Sequence, residues 1–234
     1  MAPEADRIRV LVVDDHAVVR RGLLAFLGSE PDLDVVGDVE GGMQALEAVE
    51  RLDAAGRRPH VVLMDLKMEP VDGIESTRRI RARYDDEVAV VALTSFGDAH
   101  RVRAALAAGA SGYLLKDADA DEVAASVRAA FRGELQLDPA IAKSLLGGGE
   151  ASPSDRSAAL TSRELEVVTL VGAGKPNKAI AAELSITERT ARAHVSSVLA
   201  KLGLSSRTQL ALWAVRTGLV SNRDTAEDPR AAPR

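Results

Sequence analysis

Five short apolar runs, each followed by a stretch of helical spacing, fill the first half of the chain, and this alternation constrains the fold more than any other feature. Ile8–Val13 (IRVLVV), Leu33–Val39, Val61–Met64, Val88–Leu93 and Gly112–Leu115 read as strands, rich in Val, Ile and Leu. Ala17–Leu27, Met43–Leu52, Asp72–Arg83, Arg101–Ala108 and Asp121–Phe131 read as the helices between and after them. Asp72 and Glu75 stand at capping-box spacing at the start of the third helix. Parallel strands need crossover connections, and strands apolar on both faces need helices on both faces. The expected fold is therefore α/β, a five-stranded parallel doubly wound domain in three layers.

The pattern changes near Leu145. GGGEASPSDRSAA is rich in Gly, Ser and Pro and reads as a linker, with a short helix expected over Pro139–Leu146 before it. Beyond the linker only helical signals remain. Thr161-Ser-Arg-Glu164 is a Thr-x-x-Glu capping box opening a helix through Leu165, Val168 and Val171. Asn177–Leu184 is a short helix, Ser185-Ile-Thr187 a turn, and Ala191, Val195, Val198 and Leu202 line one face of a longer helix. A last helix opens at Ser206 and Gln209, runs through Leu210 and Trp213, and closes at Gly218. Two helices joined by a tight turn make a helix-turn-helix. The expected domains are 7–132, a linker over 133–159, an all-α four-helix unit over 160–220, and a polar, disordered tail over 221–234.

Charge divides along the same line. Residues 160–220 hold eight Lys/Arg against four Glu, whereas residues 1–145 hold 18 Lys/Arg against 26 Asp/Glu. A basic half can meet phosphates, although a solvated face gives the same count. With no cysteine in the sequence, disulfides, thiolate metal sites and cysteine nucleophiles are excluded. No apolar run approaches the roughly 18 residues of a membrane span. The start, MAPEADRIRV, lacks the apolar stretch of a signal peptide, so a cytoplasmic protein is the simplest reading.

Ligands of a doubly wound sheet bind at the carboxyl ends of its strands. Strand one ends in Asp14-Asp15, strand three in Asp65, strand four in Thr94-Ser95 and strand five in Lys116. Clustered carboxylates need a neutralising cation, and a hard one such as Mg²⁺ suits an all-oxygen site. One carboxylate then remains a nucleophile, with Lys116 and Thr94 placed to hold phosphoryl oxygens. Taken singly, each of these residues reads as a cap, a strand end or a solvated charge. Together they point to phosphoryl chemistry.

Asp14-Asp15, VVLMDLKMEPVDG around Asp65, Thr94-Ser95 and Tyr113-Leu-Leu-Lys116 resemble the receiver domain of two-component response regulators, which has the flavodoxin-like fold. The resemblance implies that Asp65 accepts a phosphoryl group from a histidine kinase. It implies Mg²⁺ held by Asp15, Asp14 and Asp65 with the Lys67 carbonyl. Thr94, Ser95 and Lys116 would bind phosphoryl oxygens, and Tyr113 would be the switch aromatic. One departure is plain: the family usually has Pro four residues after the acceptor, where this chain has Glu69, followed by Pro70. Lys67 and Phe96, at the positions that tune attack by water in the family, are poor water-positioning groups, so a slowly hydrolysing phospho-form is expected.

LTSRELEVV, NKAIAAELSI, TERTARAHVSSVLAKLGL and SSRTQLALWAVRTGLV closely resemble the LuxR-type (NarL/FixJ) DNA-binding domain, with Glu188–Leu202 as recognition helix. Residues opposite its apolar face are free to enter a major groove. By resemblance Arg192, Ala193 and Ser196 face bases, with Arg192 suited to guanine, and Arg189 belongs to the same exposed face. Thr190, His194, Lys201, Lys178 and Arg207 would approach the phosphate backbone. Leu210 and Leu212 are candidates for a dimer-forming face, with Trp213 in the core. The resemblance implies a transcription regulator, not an enzyme, that binds promoter DNA as a homodimer when active. In its inactive form the receiver would mask the recognition helix, and phosphorylation would release it. An Asp-nucleophile phosphatase would need a second acid where Lys67 stands. A regulator of the same fold controlled by a small ligand or partner instead of phosphorylation stays open as the alternative.

Overall fold

Each expected strand is a strand in the computed structural model, which describes residues 7–95, 99–134, 160–204 and 206–220. The expected helix Pro139–Leu146, the linker from 135 to 159, the tail 221–234 and Phe96 lie outside the described residues. The chain divides into two compact units, Met1–Leu145 and Leu146–Arg234.

In the first unit the elements run β1 (Ile8–Val13), α1 (Ala17–Leu27), β2 (Leu33–Val39), α2 (Gly42–Ala54), β3 (Val61–Asp65), α3 (Gly73–Tyr84), β4 (Ala89–Thr94), α4 (Ala99–Ala107), β5 (Gly112–Leu115) and α5 (Ala120–Arg132). A single 3-10 turn, Asp85–Glu87, precedes β4. The sheet is parallel throughout, in the order β2-β1-β3-β4-β5. Side chains of a strand alternate between faces, so the strands feed two cores. Val10, Val12, Val61, Leu63, Val91 and Leu93 pack with Leu27 of α1 and with Val123 and Val127 of α5. Leu11, Val13, Val62, Met64 and Val90 pack on the other face with Ala45, Val49 and Leu52 of α2 and Ile80 and Tyr84 of α3. At about 25 cal/mol per Å² of apolar area removed from water, these two layers dominate the stability of the unit.

Local chemistry sets the helix ends. Asp72 caps α3, its carboxylate accepting from the Glu75 N–H. The expected capping box is only half formed there, because the Glu75 carboxylate turns to Arg78 and Arg79. A complete box, Asp119 with Glu122, opens α5. The β1–β2 register shifts between Val10 and Leu11, so Val10 pairs with Val35 and Leu11 with Gly37. Val36 is the extra residue of a bulge.

The second unit contains α6 (Ser162–Gly172), α7 (Asn177–Glu183), α8 (Glu188–Leu202) and α9 (Arg207–Arg216). The Thr161/Glu164 capping box of α6 is complete. Ser185 turns the chain between α7 and α8 at φ 53°, in the left-handed region, and Thr187 caps α8. Val168, Val171, Ile180, Val195, Val198, Leu202, Leu210 and Ala214 are buried. Leu210 is thus core and cannot offer the dimer face considered for it, whereas Leu212 and Trp213 are half-buried.

Candidate functional site

The β1/β3 junction lies where strand order reverses, β2 lying to one side of β1 and β3 to the other. Such a switch point opens a crevice at the carboxyl ends of the strands. Asp65 is the last residue of β3 and is 1% exposed; Asp14 follows β1 and is 0% exposed. Backbone pairing carries Thr94 and Lys116 to the same rim, because the Lys116 N–H donates to the Thr94 carbonyl at 2.7 Å.

Lys116 is the electrostatic centre of the site. Its ammonium donates to Asp65 Oδ2 at 2.7 Å and lies 2.8 Å from Asp14 Oδ2. Asp65 Oδ1 accepts the Lys67 N–H at 3.1 Å, and Asp14 Oδ1 accepts the His16 N–H at 2.8 Å. Burial raises the Asp65 carboxyl above the ordinary range, and Lys116 and the Lys67 N–H oppose that only in part. Burial also disfavours the Lys116 ammonium, yet its bonds to Asp14 and Asp65 outweigh this and hold its pKa above the usual lysine value.

His16 completes the cluster and escaped the sequence reading. Its Nδ1 lies 2.6 Å from Asp15 Oδ1, 3.4 Å from Asp14 Oδ1 and 3.9 Å from Asp65 Oδ2. One ligand atom from each of Asp14, Asp15, His16 and Asp65 falls within a 4.8 Å sphere of mutual distances. The carboxylate donor set, with Asp14 and Asp65 buried and Asp15 exposed, fits a hard divalent cation such as Mg²⁺. Thr94, the last residue of β4, is buried, as is Tyr113 near the start of β5, which pairs with Ala92; Ser95 is exposed. Below the site, the Glu69–Pro70 peptide is cis, with both residues exposed. A Cβ on Gly73 would collide with the Asp65 carbonyl oxygen, so this glycine lets α3 start directly against the end of β3.

The second unit presents a different surface. Ala191, Val195, Val198 and Leu202 of α8 are buried, leaving Arg189, Thr190, Ala193 and Ser196 exposed and Arg192 and His194 half-buried. The Arg192 guanidinium reaches back to Glu188 at 3.4 Å. Thr190 stays at the cap, its N–H donating to Thr187 Oγ1 at 3.1 Å. Lys178 is exposed on α7. Two of the cations expected at a phosphate backbone have internal partners: Lys201 donates to Glu164 at 2.8 Å, and Arg207 donates to Asn177 at 2.9 Å and to the Lys175 carbonyl. Glu164 therefore serves α6 as cap residue and α8 as anchor, and Lys201 foremost holds its carboxyl down at about 2.

A parallel five-stranded sheet with this acid–lysine rim, followed by a four-helix unit with a helix-turn-helix, defines a response regulator. The response regulator receiver domain matches residues 10–128, and the family described as bacterial regulatory proteins, luxR family, matches residues 158–214. The chain belongs to the LuxR-family response regulators and is a transcriptional regulator of a two-component system. It is 42% identical over 219 residues to the transcriptional regulatory protein LiaR of Bacillus subtilis, covering 92% of this chain and 100% of LiaR. It is 35% identical over 213 residues to the response regulator protein VraR of Staphylococcus aureus, covering 91% and 99%. Among solved structures, a LuxR-family two-component response regulator from Aurantimonas sp. is similar with a TM-score of 0.52 and 31% identity, covering 59% of this chain and 95% of that one. No described helix is long and apolar enough to cross a membrane.

Proposed function

We propose that Asp65 takes a phosphoryl group from a phosphohistidine of a histidine kinase, and that the charge so placed controls binding of the α8 surface to promoter DNA. The observation that carries this reading is the buried Asp65 carboxylate, 2.7 Å from a Lys116 ammonium that also pairs with buried Asp14 at 2.8 Å. A carboxylate oxygen of Asp65 attacks phosphorus, the P–N bond breaks, and the imidazole leaves with the electron pair. Asp14, Asp15, Asp65 and the Lys67 carbonyl are the groups that would hold Mg²⁺, which supplies neutralisation of the gathering charge. Lys116 gives up its contact with the Asp65 carboxylate and follows the negative charge onto the phosphoryl oxygens, joined by the Thr94 hydroxyl with Ser95 beside it. Tyr113, buried opposite Ala92, two residues before Thr94 on β4, would then repack and bias the receiver between two states.

On the DNA side, Arg192, Ala193 and Ser196 would meet base edges, with Arg189 on the same face. Thr190, His194 and Lys178 would meet phosphates. Lys201 and Arg207 fulfil that role only by exchanging their internal partners for phosphates. A homodimer would read two half-sites.

The test compares the full chain with Asp65→Asn after incubation with acetyl phosphate and Mg²⁺, following phosphorylation by mass, self-association by light scattering and promoter binding by gel shift. The expected result is one phosphoryl group on the wild type, none on the variant, and tighter DNA binding by the wild type alone. Equal behaviour of the two would reject the phospho-switch and favour control by a ligand or partner.

A further inference from the structure

Arg20, a helix charge near the start of α1, does not lie in solvent. Its side chain is 16% exposed. One guanidinium nitrogen donates to the Asp14 main-chain carbonyl at 2.6 Å, and Nε donates to Asp38 Oδ2 at 2.9 Å; Glu40 lies 3.9 Å away. Arg20 thus ties together the end of β1, the first turn of α1 and the end of β2. The tie matters because α1 starts without a side-chain cap: its N-cap residue, His16, makes no cap bond.

The bulge in β2 is what creates this clamp. Val35, before it, packs with the core under α1 and α5, and Val36 packs with the opposite core. Unbroken alternation would send Gly37 back to the α1 side, with Asp38 and Val36 on the other. Instead a Cβ on Gly37 would touch Leu11 of the opposite core, and Asp38 pairs in register with Val12, which faces α1. The extra residue re-aims Asp38 toward Arg20, a recognised use of bulges near functional sites.

The Asp14 carbonyl belongs to the peptide plane that leads into Asp15. Because that plane is rigid, fixing the carbonyl helps fix the position of the Asp15 Cα, the point from which its side chain leaves the backbone. Asp14 is otherwise held by its N–H on the Val39 carbonyl at 3.2 Å and by its Oδ1 on the His16 N–H at 2.8 Å. The carbonyl is the remaining main-chain handle, and Arg20 grips it.

We propose that Arg20, buttressed by Asp38, is a positioning residue for the divalent-cation site: it sets the Asp14–Asp15 peptide so that both carboxylates face one ion. Groups that orient ligands without touching the metal are worth about 10-fold to 100-fold in affinity. The role rests on the cation-assisted chemistry proposed for Asp65. It also makes a prediction opposite in sign to plain electrostatics. Arg20 is a positive charge beside a cation site, so its simple removal would tighten Mg²⁺ binding. Loss of positioning would weaken it.

The experiment titrates Mg²⁺ into the unphosphorylated full chain by isothermal calorimetry, for wild type, Arg20→Lys and Arg20→Met, with circular dichroism to score folding. Acetyl-phosphate labelling rates over the same Mg²⁺ range supply the split between affinity and saturated rate. Both variants are expected to bind Mg²⁺ about 10-fold more weakly, with the rate at saturating Mg²⁺ changed less than about 2-fold. Arg20→Lys keeps the charge and the stem, so it carries the test alone if Arg20→Met does not fold. An unchanged constant in Arg20→Lys, or a tighter one in Arg20→Met, overturns the positioning role while leaving the acceptor reading intact. A wild type that binds no Mg²⁺ overturns both.

Discussion

Replacing Lys116 by Met should leave two buried carboxylates facing each other without their cation. Asp14, Asp65 and Lys116 are 0%, 1% and 9% exposed, and the ammonium is 2.8 and 2.7 Å from the two acids. Removing one partner of a buried pair costs about 3–5 kcal/mol. The low end applies here, about 3 kcal/mol, because the exposed His16 ring lies 3.4 and 3.9 Å from the same carboxylates and opens the site to water. With a urea slope of about 2 kcal/mol per molar, the midpoint of the first unit falls by about 1.5 M in EDTA. The pH dependence has a definite sign. Burial already raises the Asp65 carboxyl, and losing Lys116 removes the main influence that lowers it. A carboxyl with a raised folded pKa contributes stability that is full below its unfolded value and is lost as pH rises through the folded one. The gap between variant and wild type should therefore widen from pH 4.5 to pH 8, and Mg²⁺ should narrow it. Circular dichroism follows the first unit, while fluorescence of Trp213, the sole tryptophan, follows the second and serves as an internal control. A variant as stable as wild type in EDTA at pH 8, or a gap that shrinks with rising pH, would refute the account of Lys116 as the obligatory counter-ion.

Four further outcomes are expected. His60, half-buried against Arg9, Arg58 and Phe131, has its pKa lowered to about 4, chiefly by burial and then by the two arginines. Its contribution is full above pH 6.5 and is lost as pH falls toward 4, about 2 kcal/mol after allowing for solvent screening, and His60→Gln should flatten the stability profile over that window in urea titrations. Gly73→Ala should push α3 off the Asp65 carbonyl, lowering the melting temperature and slowing acetyl-phosphate labelling together; labelling at the wild-type rate would contradict the close approach. Glu164→Gln weakens the α6 capping box and releases Lys201, so the urea midpoint read by Trp213 should fall, and the wild-type domain itself should lose stability as pH drops from 4.5 toward 2. The phospho-form should persist for minutes or longer, since Lys67, two residues past the acceptor, is a poor group for positioning water; a half-life of seconds by loss of radiolabel would count against it.

Every strand was legible in the sequence because a buried parallel strand needs an unbroken apolar run, and such runs stand out between helical patterns. The rim residues Asp14, Asp15, Asp65, Thr94 and Lys116 followed from strand ends alone. What stayed hidden depends on register and on tertiary partners. His16 carries no local signal beyond its place after an acid pair, yet it turns its ring onto three carboxylates. Nothing local to Arg20 reveals its partner, because only the bulge at Val36 brings Asp38 to it. Glu75 has the spacing of a box residue, but two nearby arginines compete for its carboxylate. Asp119 and Glu122 form the box of α5, a signal present in the sequence but passed over for Asp121. Lys201 has the placement of a phosphate contact, and nothing local reveals that Glu164, 37 residues earlier, holds it.

The long reach of Lys116 carries a consequence for synthesis. It lies 51 residues beyond Asp65 and directly follows β5, the last strand of its sheet. During translation β3 leaves the ribosome well before the counter-ion of Asp65 does, at roughly 5–20 residues per second. A nascent or truncated receiver therefore carries Asp65 without Lys116 beside it. The acid–lysine rim is complete only in a chain whose β5 has been made and paired, so the site itself doubles as a check on completed folding.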